Sequence, residues 1–178
     1  YTYWMIGTDR KMDEVTKEMC LAFGIKNIVI DETKTRDLAD SKYLGNTAVL
    51  LGKPAMTTES GYLGKTDEES ISRNVTGILS VMRLFKMIEG APDLTPDPVW
   101  IDRCEVVYSK TDGLFFPQIK MGYDVQKGQK VGFVTDYLGN IQEEVLAPFS
   151  GIMLYIINTP PTSRGEPLFE VGRAKPRE

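Results

Sequence analysis

The chain has 178 residues, 42% hydrophobic and 26% charged, with a formal net charge of −4, which suits one large or two small globular domains. No basic stripe offsets that acidic balance, so nucleic acid is excluded as a partner, and no apolar run reaches the roughly 18 residues that a membrane helix needs. Histidine is absent, which removes Ser-His and Cys-His catalysis and the imidazole ligands of catalytic zinc from these residues.

Cys20 and Cys104 are the only cysteines, far apart, one in a predicted helix and one in a predicted strand. They read as small buried hydrophobes rather than a disulfide framework, and point to a reducing cytoplasm. No signal-peptide pattern is present, and the chain opens at Tyr1 without an initiator Met, as a fragment or processed product would.

Residues 1–6 are aromatic and β-rich and predict a strand. Asp9 is placed to cap a helix whose apolar face is Met12, Val15, Met19, Ala22 and Phe23, ended by Gly24. Residues 26–30 predict a short strand covered on both faces, and residues 31–40 a polar loop. A second helix is expected over residues 41–51, with Leu44, Ala48 and Leu51 inward. A long helix to about Ile88 is capped by Thr66 or Asp67 and carries a core-facing stripe of Ile71, Val75, Ile78, Leu79, Met82, Leu84 and Phe85. Alternating helix and short strand is the signature of an α/β sheet protein.

Between these two helices lies the stretch on which a functional reading turns, Leu-Leu-Gly-Lys-Pro-Ala-Met-Thr-Thr-Glu-Ser-Gly at residues 50–61. Gly52 suits the position after a helix end, and Pro54 cannot continue the helix. Residues 55–59 are then extended, with Ala55, Thr57 and Glu59 on one face and Met56 and Thr58 on the other. Ligands of open α/β sheets sit at the carboxyl ends of strands, so Glu59 stands as a candidate catalytic carboxylate. A solvated strand-end Glu is the ordinary alternative. A hinge, Gly61-Tyr62-Leu63-Gly64, follows.

Residues 91–98 contain three prolines, at Pro92, Pro96 and Pro98, and place a boundary between an α/β segment at residues 1–93 and an all-β module at residues 98–178. In the second segment short β runs are expected at residues 103–108, 114–117, 130–134, 142–146, 152–157 and 168–171, with no helix. The module repeats: Gly113-Leu114-Phe115-Phe116-Pro117 resembles Gly151-Ile152-Met153-Leu154-Tyr155, and the run from Lys127 to Val134 resembles that from Arg164 to Val171. This resembles the barrel-sandwich hybrid of biotinyl and lipoyl domains. Where such carriers hold the modified Lys, this chain has Thr135-Asp136-Tyr137-Leu138-Gly139-Asn140, with no amine to acylate.

The combination of Gly-Lys-Pro-Ala-Met-Thr-Thr-Glu-Ser-Gly, a long helix reading Asn-Val-Thr-Gly-Ile-Leu-Ser-Val-Met-Arg, and a His-free lipoyl-like module resembles the C-terminal part of the succinylglutamate desuccinylase/aspartoacylase family, relatives of the zinc carboxypeptidases. The strongest motif, Thr-x-Glu-x-Gly, falls on Thr57, Glu59 and Gly61, and Ala147-Pro148-Phe149-Ser150-Gly151 matches the family's Ala-Pro-x-x-Gly turn. The resemblance implies a partial zinc-carboxypeptidase-like α/β segment followed by an all-β barrel-sandwich domain. It also implies a zinc-dependent deacylase of N-acyl amino acids, with its zinc held by a His-x-x-Glu pair and a later His upstream of Tyr1. This chain then holds no metal ligand and supplies the base alone. A catalytic zinc lowers the pKa of bound water to about 7, and a nearby Glu takes that proton and passes it to the leaving amine. Glu59 takes that role; Thr57 lines the substrate pocket or is an ordinary β-favouring Thr, and Tyr62 donates a phenol hydrogen bond or is simply packed. Arg73 reads as a solvated helix residue. The alternative is a non-catalytic binding module whose β domain builds a homo-oligomer or docks a partner.

Overall fold

A computed structural model describes residues 1–7, 9–32, 37–62 and 64–175. The aromatic opening run forms strand β1, Thr2–Ile6. Asp9 caps helix α1, Arg10–Phe23, by accepting from the Lys11 N–H at 2.9 Å, and Gly24 ends it in the left-handed conformation at φ 88°. Thr16, Cys20, Ala22 and Phe23 are the buried side of α1, while Met12, Val15 and Met19 of the expected stripe are half-buried. Strand β2, Asn27–Glu32, runs parallel to β1, with Thr2 opposite Ile28 and Ile6 opposite Glu32. Its neighbouring residues Ile28 and Val29 point to opposite faces and are both buried, so the strand is covered on both sides. Pairing with β1 carries β2 through Asp31 and Glu32, which the sequence assigns to a loop; residues 33–36 of that loop lie outside the described residues.

Helix α2, Leu44–Leu50, closes on Gly52, where the N–H of Lys53 donates to the Ala48 carbonyl at 2.9 Å and that of Gly52 to Val49 at 3.0 Å. These are the two bonds of a Schellman end. Leu44 and Leu51 were expected inward, yet they are 87% and 57% exposed. Gly45 takes the inner position instead: a Cβ there would lie 2.7 Å from the Met5 sulfur, so any larger residue would have to displace the Met5 side chain. Strand β3, Met56–Thr58, pairs antiparallel with β1, giving the order β3-β1-β2.

Asp67 rather than Thr66 caps helix α3, Glu68–Leu84, accepting from the Ser70 N–H at 2.8 Å. The expected core stripe of α3 is not its buried side. Ile71, Val75, Ile78, Leu79 and Phe85 are 37–54% exposed, whereas Gly77 and Ser80 are buried. The reason is close packing: a Cβ on Gly77 would lie 2.7 Å from the Phe23 carbonyl oxygen, so α3 turns Gly77 to α1, and the Ser80 hydroxyl bonds to the Asp93 backbone.

Two compact units result, Tyr1–Trp100 and Ile101–Glu178. The division falls beyond the proline-rich residues 91–98, because those are tied to the first unit. The Asp93 N–H donates to the Ser80 hydroxyl at 2.9 Å, the Thr95 N–H to the Leu21 carbonyl at 2.9 Å, and the Val99 N–H to the Lys26 carbonyl at 2.8 Å. Trp100 meets Trp4 edge to face, ring centroids 5.4 Å apart, with the Lys17 ammonium over both rings.

The second unit holds the strands β4 (Val99–Tyr108, from Ile101 on), β5 (Gly113–Pro117), β6 (Asp124–Val125), β7 (Lys130–Thr135), β8 (Ile141–Leu146), β9 (Gly151–Ile156), β10 (Pro161–Thr162) and β11 (Pro167–Ala174). The two-residue strands β6 and β10 had no sequence signal. One set pairs in the order β4-β11-β9-β6 and the other in the order β8-β7-β5-β10. Advancing every strand by four in sequence order turns β4-β11-β9-β6 into the second set, with β11 passing to β7. The sequence repeat is thus a repeat of topology. Gly113 and Gly151 correspond, and at each a Cβ would run into backbone, the Thr135 carbonyl and the Gly172 carbonyl respectively. Gly128 and Gly165 also correspond, both at positive φ, 78° and 86°. Phe115, Val125, Val131, Val134, Val145, Met153, Leu168, Phe169 and Val171, from both sets, share one core. This is a two-layer β structure. No strand pairing among the described residues closes it into a barrel.

Candidate active site

Glu59 stands one residue beyond β3 and is exposed. The β1–β3 ladder continues to it: the Glu59 N–H donates to the Tyr1 carbonyl at 2.9 Å, and the Tyr1 amino group donates to the Glu59 carbonyl at 3.1 Å. Tyr1 and Glu59 are therefore directly opposed, and opposed residues of an antiparallel pair share a face. Tyr3 is opposite Thr57 in the same register, so Tyr1, Tyr3, Thr57 and Glu59 line one side of this sheet. The rings of Tyr1 and Tyr3 meet edge to face at 5.4 Å.

The position differs from the one the strand-end rule assigns. Since β3 runs against β1 and β2, the carboxyl end of β3 is the amino end of the other two. Glu59 lies beside Tyr1, and the carboxyl ends of β1 and β2 hold Ile6 and Glu32. Asp31 near that other end is half-buried, and burial pushes its carboxyl above the ordinary range. Sequence patterning does not single out Asp31, which reads as the first polar residue of a loop.

Of the other expected site residues, Thr57 shares the Glu59 face and donates its hydroxyl to the Met5 sulfur at 3.7 Å. Tyr62 is half-buried, its carbonyl accepting from the Lys65 N–H at 3.0 Å and its ring 5.9 Å from the Lys65 ammonium. Leu63 of the hinge lies outside the described residues. The hydroxyls of Thr58 and Ser60, flanking Glu59, are buried without a hydrogen-bond partner among the described residues. Arg73 is ion-paired with Glu69 one turn earlier on α3, as a solvated helix residue would be. It also bears on the Glu59 end of β3: the Tyr1 amino group is held below its ordinary value by burial and by the Arg73 guanidinium, with the Glu59 carboxylate pulling the other way. An open groove of about 340 Å³ runs past Phe23, Gly24, Arg73 and Gly77, and its lining includes none of Glu59, Thr57 or Tyr62.

No group of three or more His, Cys, Asp or Glu among the described residues is placed to hold a metal ion. The donor set here does not fit a catalytic zinc by itself. Neither Cys20 nor Cys104 is in a disulfide, and burial pushes the Cys20 thiol up to about 12, an inert buried group. No helix among the described residues is long and apolar enough to cross a membrane.

No protein-family model and no curated protein matches the sequence. Solved structures match the fold over nearly all of it. A succinylglutamate desuccinylase/aspartoacylase from Rhodobacter sphaeroides aligns with a TM-score of 0.82 at 20% identity, covering 99% of this chain and 54% of that one. The fold is that of the succinylglutamate desuccinylase/aspartoacylase proteins. The ectoine utilization protein EutE (DoeB) from Ruegeria pomeroyi, in a product-bound structure, aligns at 0.82 and 21% identity over 97% of this chain and 53% of its own. An aspartoacylase family protein from Mesorhizobium loti aligns at 0.75 and 15% identity over 99% and 52%. This chain spans about half the length of the structures it matches, and the resemblance drawn from Thr57, Glu59 and Gly61 is met in fold.

Proposed function

We propose that this chain is the base-bearing part of a deacylase that hydrolyses the amide bond of a small N-acyl amino acid. The observation that carries the reading is the pairing of Glu59 with Tyr1, which sets Glu59 at the amino end of β1, the end that an upstream segment would join. That is where the resemblance puts the last zinc-ligating His. Zinc is the cofactor of this reading, with its ligands upstream of Tyr1, and when bound it supplies Lewis-acid chemistry at the scissile carbonyl. The work of this chain is proton transfer. Glu59 is exposed at the end of β3, takes a proton from the attacking water and delivers it to the departing amine. Thr57, on the same face, lines the substrate pocket, and Tyr62 is a second hydrogen-bonding side chain beyond it. The two-layer β unit is read as a barrel-sandwich hybrid, supported by its repeated topology, and a cytoplasmic setting is proposed from the use of only two cysteines, neither in a disulfide.

Glu59→Gln in the polypeptide extended upstream of Tyr1 tests the role. It keeps size and hydrogen bonding and removes the base. The expected outcome is a kcat lower by roughly 10²–10⁴-fold with zinc content unchanged and KM moved less than kcat. Activity within a few-fold of the parent would remove Glu59 from the mechanism, and loss of zinc with activity would make it a ligand. A second reading, a non-catalytic binding or oligomerisation module, is favoured by the exposed apolar side of α3; under it the substitution changes nothing.

A further inference from the structure

Helix α3 is apolar on a side that the first unit does not use. At about 100° per residue, Ile71, Val75, Ile78, Leu79, Met82 and Phe85 fall within an arc of about 120°. Five of these six are exposed. The opposite side holds Gly77 and Ser80, packed against Phe23 and the Asp93 backbone. Between the two sides on one flank is only a narrow polar strip, Glu69, Ser72, Thr76 and Arg83. A surface helix turns its apolar side to the core, whereas α3 packs Gly77 and Ser80 inward and turns its apolar side out. A contiguous apolar patch of this kind marks an interaction surface.

Two further observations say what occupies it. Strand β3, three residues long, pairs with β1 on one edge and with no strand among the described residues on the other. The sheet beside α3's own layer is therefore open to continuation. The matched structures are about twice as long as this chain while using nearly all of it, 99% of this chain against 54% of the Rhodobacter sphaeroides protein.

We propose that the outer side of α3 is the seat of further α/β structure in the same polypeptide, upstream of Tyr1. This rests on the upstream segment invoked for the proposed function, though not on its chemistry. The occupant is in cis, because a patch shared by two copies would have to be self-complementary about a twofold axis, and the length of the matched structures supplies a covering layer without one.

The test is thiol accessibility. Val75→Cys and Ile78→Cys are made separately, with Tyr137→Cys at the exposed turn after β7 as the control. Each is reacted with a maleimide in the 178-residue chain and in the polypeptide extended upstream through its reading frame, and labelling is mapped by peptide mass to separate it from Cys20 and Cys104. The proposal expects fast labelling at positions 75 and 78 in the shorter chain and at least a roughly tenfold slower rate in the extended one, with position 137 unchanged. Val75→Cys is the milder change and carries the test if Ile78→Cys loses its circular dichroism. Equal rates in the two polypeptides overturn the proposal. Protection already present in the shorter chain, with a dimer mass by light scattering, gives the face to a second copy and also overturns it, as does a reading frame that begins at Tyr1. Protection in an extended protein that does not deacylate would retire the proposed function and leave this inference standing.

Discussion

The two units handle apolar surface in opposite ways. In Ile101–Glu178 the inward residues of both strand sets meet one another, and Phe115, Val131, Val134, Met153, Leu168, Phe169 and Val171 are at most 1% exposed. Among the described residues of Tyr1–Trp100 the buried hydrophobes are few, Met5, Cys20, Ala22, Phe23, Ile28 and Val29, while the longest helix exposes Ile71, Val75, Ile78 and Leu79. A repeat that pairs with itself needs nothing else to close its core. An α/β layer of three paired strands with helices does not have that self-sufficiency, and its surplus apolar side is the trace of it.

The largest effect that would break this contrast lies in the cores. Phe169→Ala removes a side chain buried among β-strands from both sets and should cost about 3–5 kcal/mol, read as a fall in the denaturation midpoint of the second unit. Ile78→Ala in the 178-residue chain should stay within about 0.5 kcal/mol, because its side chain is already half in water. Comparable losses at the two positions would mean that α3 is buried and the contrast is false.

A smaller effect sharpens the description of the first unit. The Asp67 carboxyl is held below its ordinary value first by the Ser70 N–H that it caps. A carboxylate with a lowered folded pKa stabilises above its unfolded value of about 3.9, and that contribution is lost as pH falls through the folded value. The stability gap between parent and Asp67→Ala should therefore be constant from about pH 7 to 5 and shrink below about pH 4. A gap unchanged down to strongly acid pH would mean that the carboxylate charge is not what caps α3.

Much of this was legible in the residues. Alternation and turn glycines located the six longer strands of the second unit, and the repeat of Gly113 and Gly151 proved to be one of topology. Caps at Asp9, Gly24 and Gly52 were readable because they act within a few residues. What was not legible depends on partners far along the chain. Periodicity marks an apolar side of α3 but not whether anything covers it, and Gly77 and Gly45 are silent in a pattern that counts only large side chains. Proline density marked residues 91–98 as irregular, yet their hydrogen bonds to Leu21 and Ser80 keep them with the first unit. For the candidate site, the motif singled out Glu59 for testing, while its place at the amino end of β1 and β2 followed from an antiparallel pairing that no local pattern encodes.

The central proposal is a division of labour, with the base in these residues and the zinc ligands upstream of them. Metal analysis of the purified 178-residue chain beside the polypeptide extended upstream tests it most directly. The account predicts no stoichiometric zinc in the shorter chain and about one zinc per molecule in the longer one, as expected for ligands that this His-free sequence does not contain. One tightly held zinc in the 178-residue chain alone would contradict it.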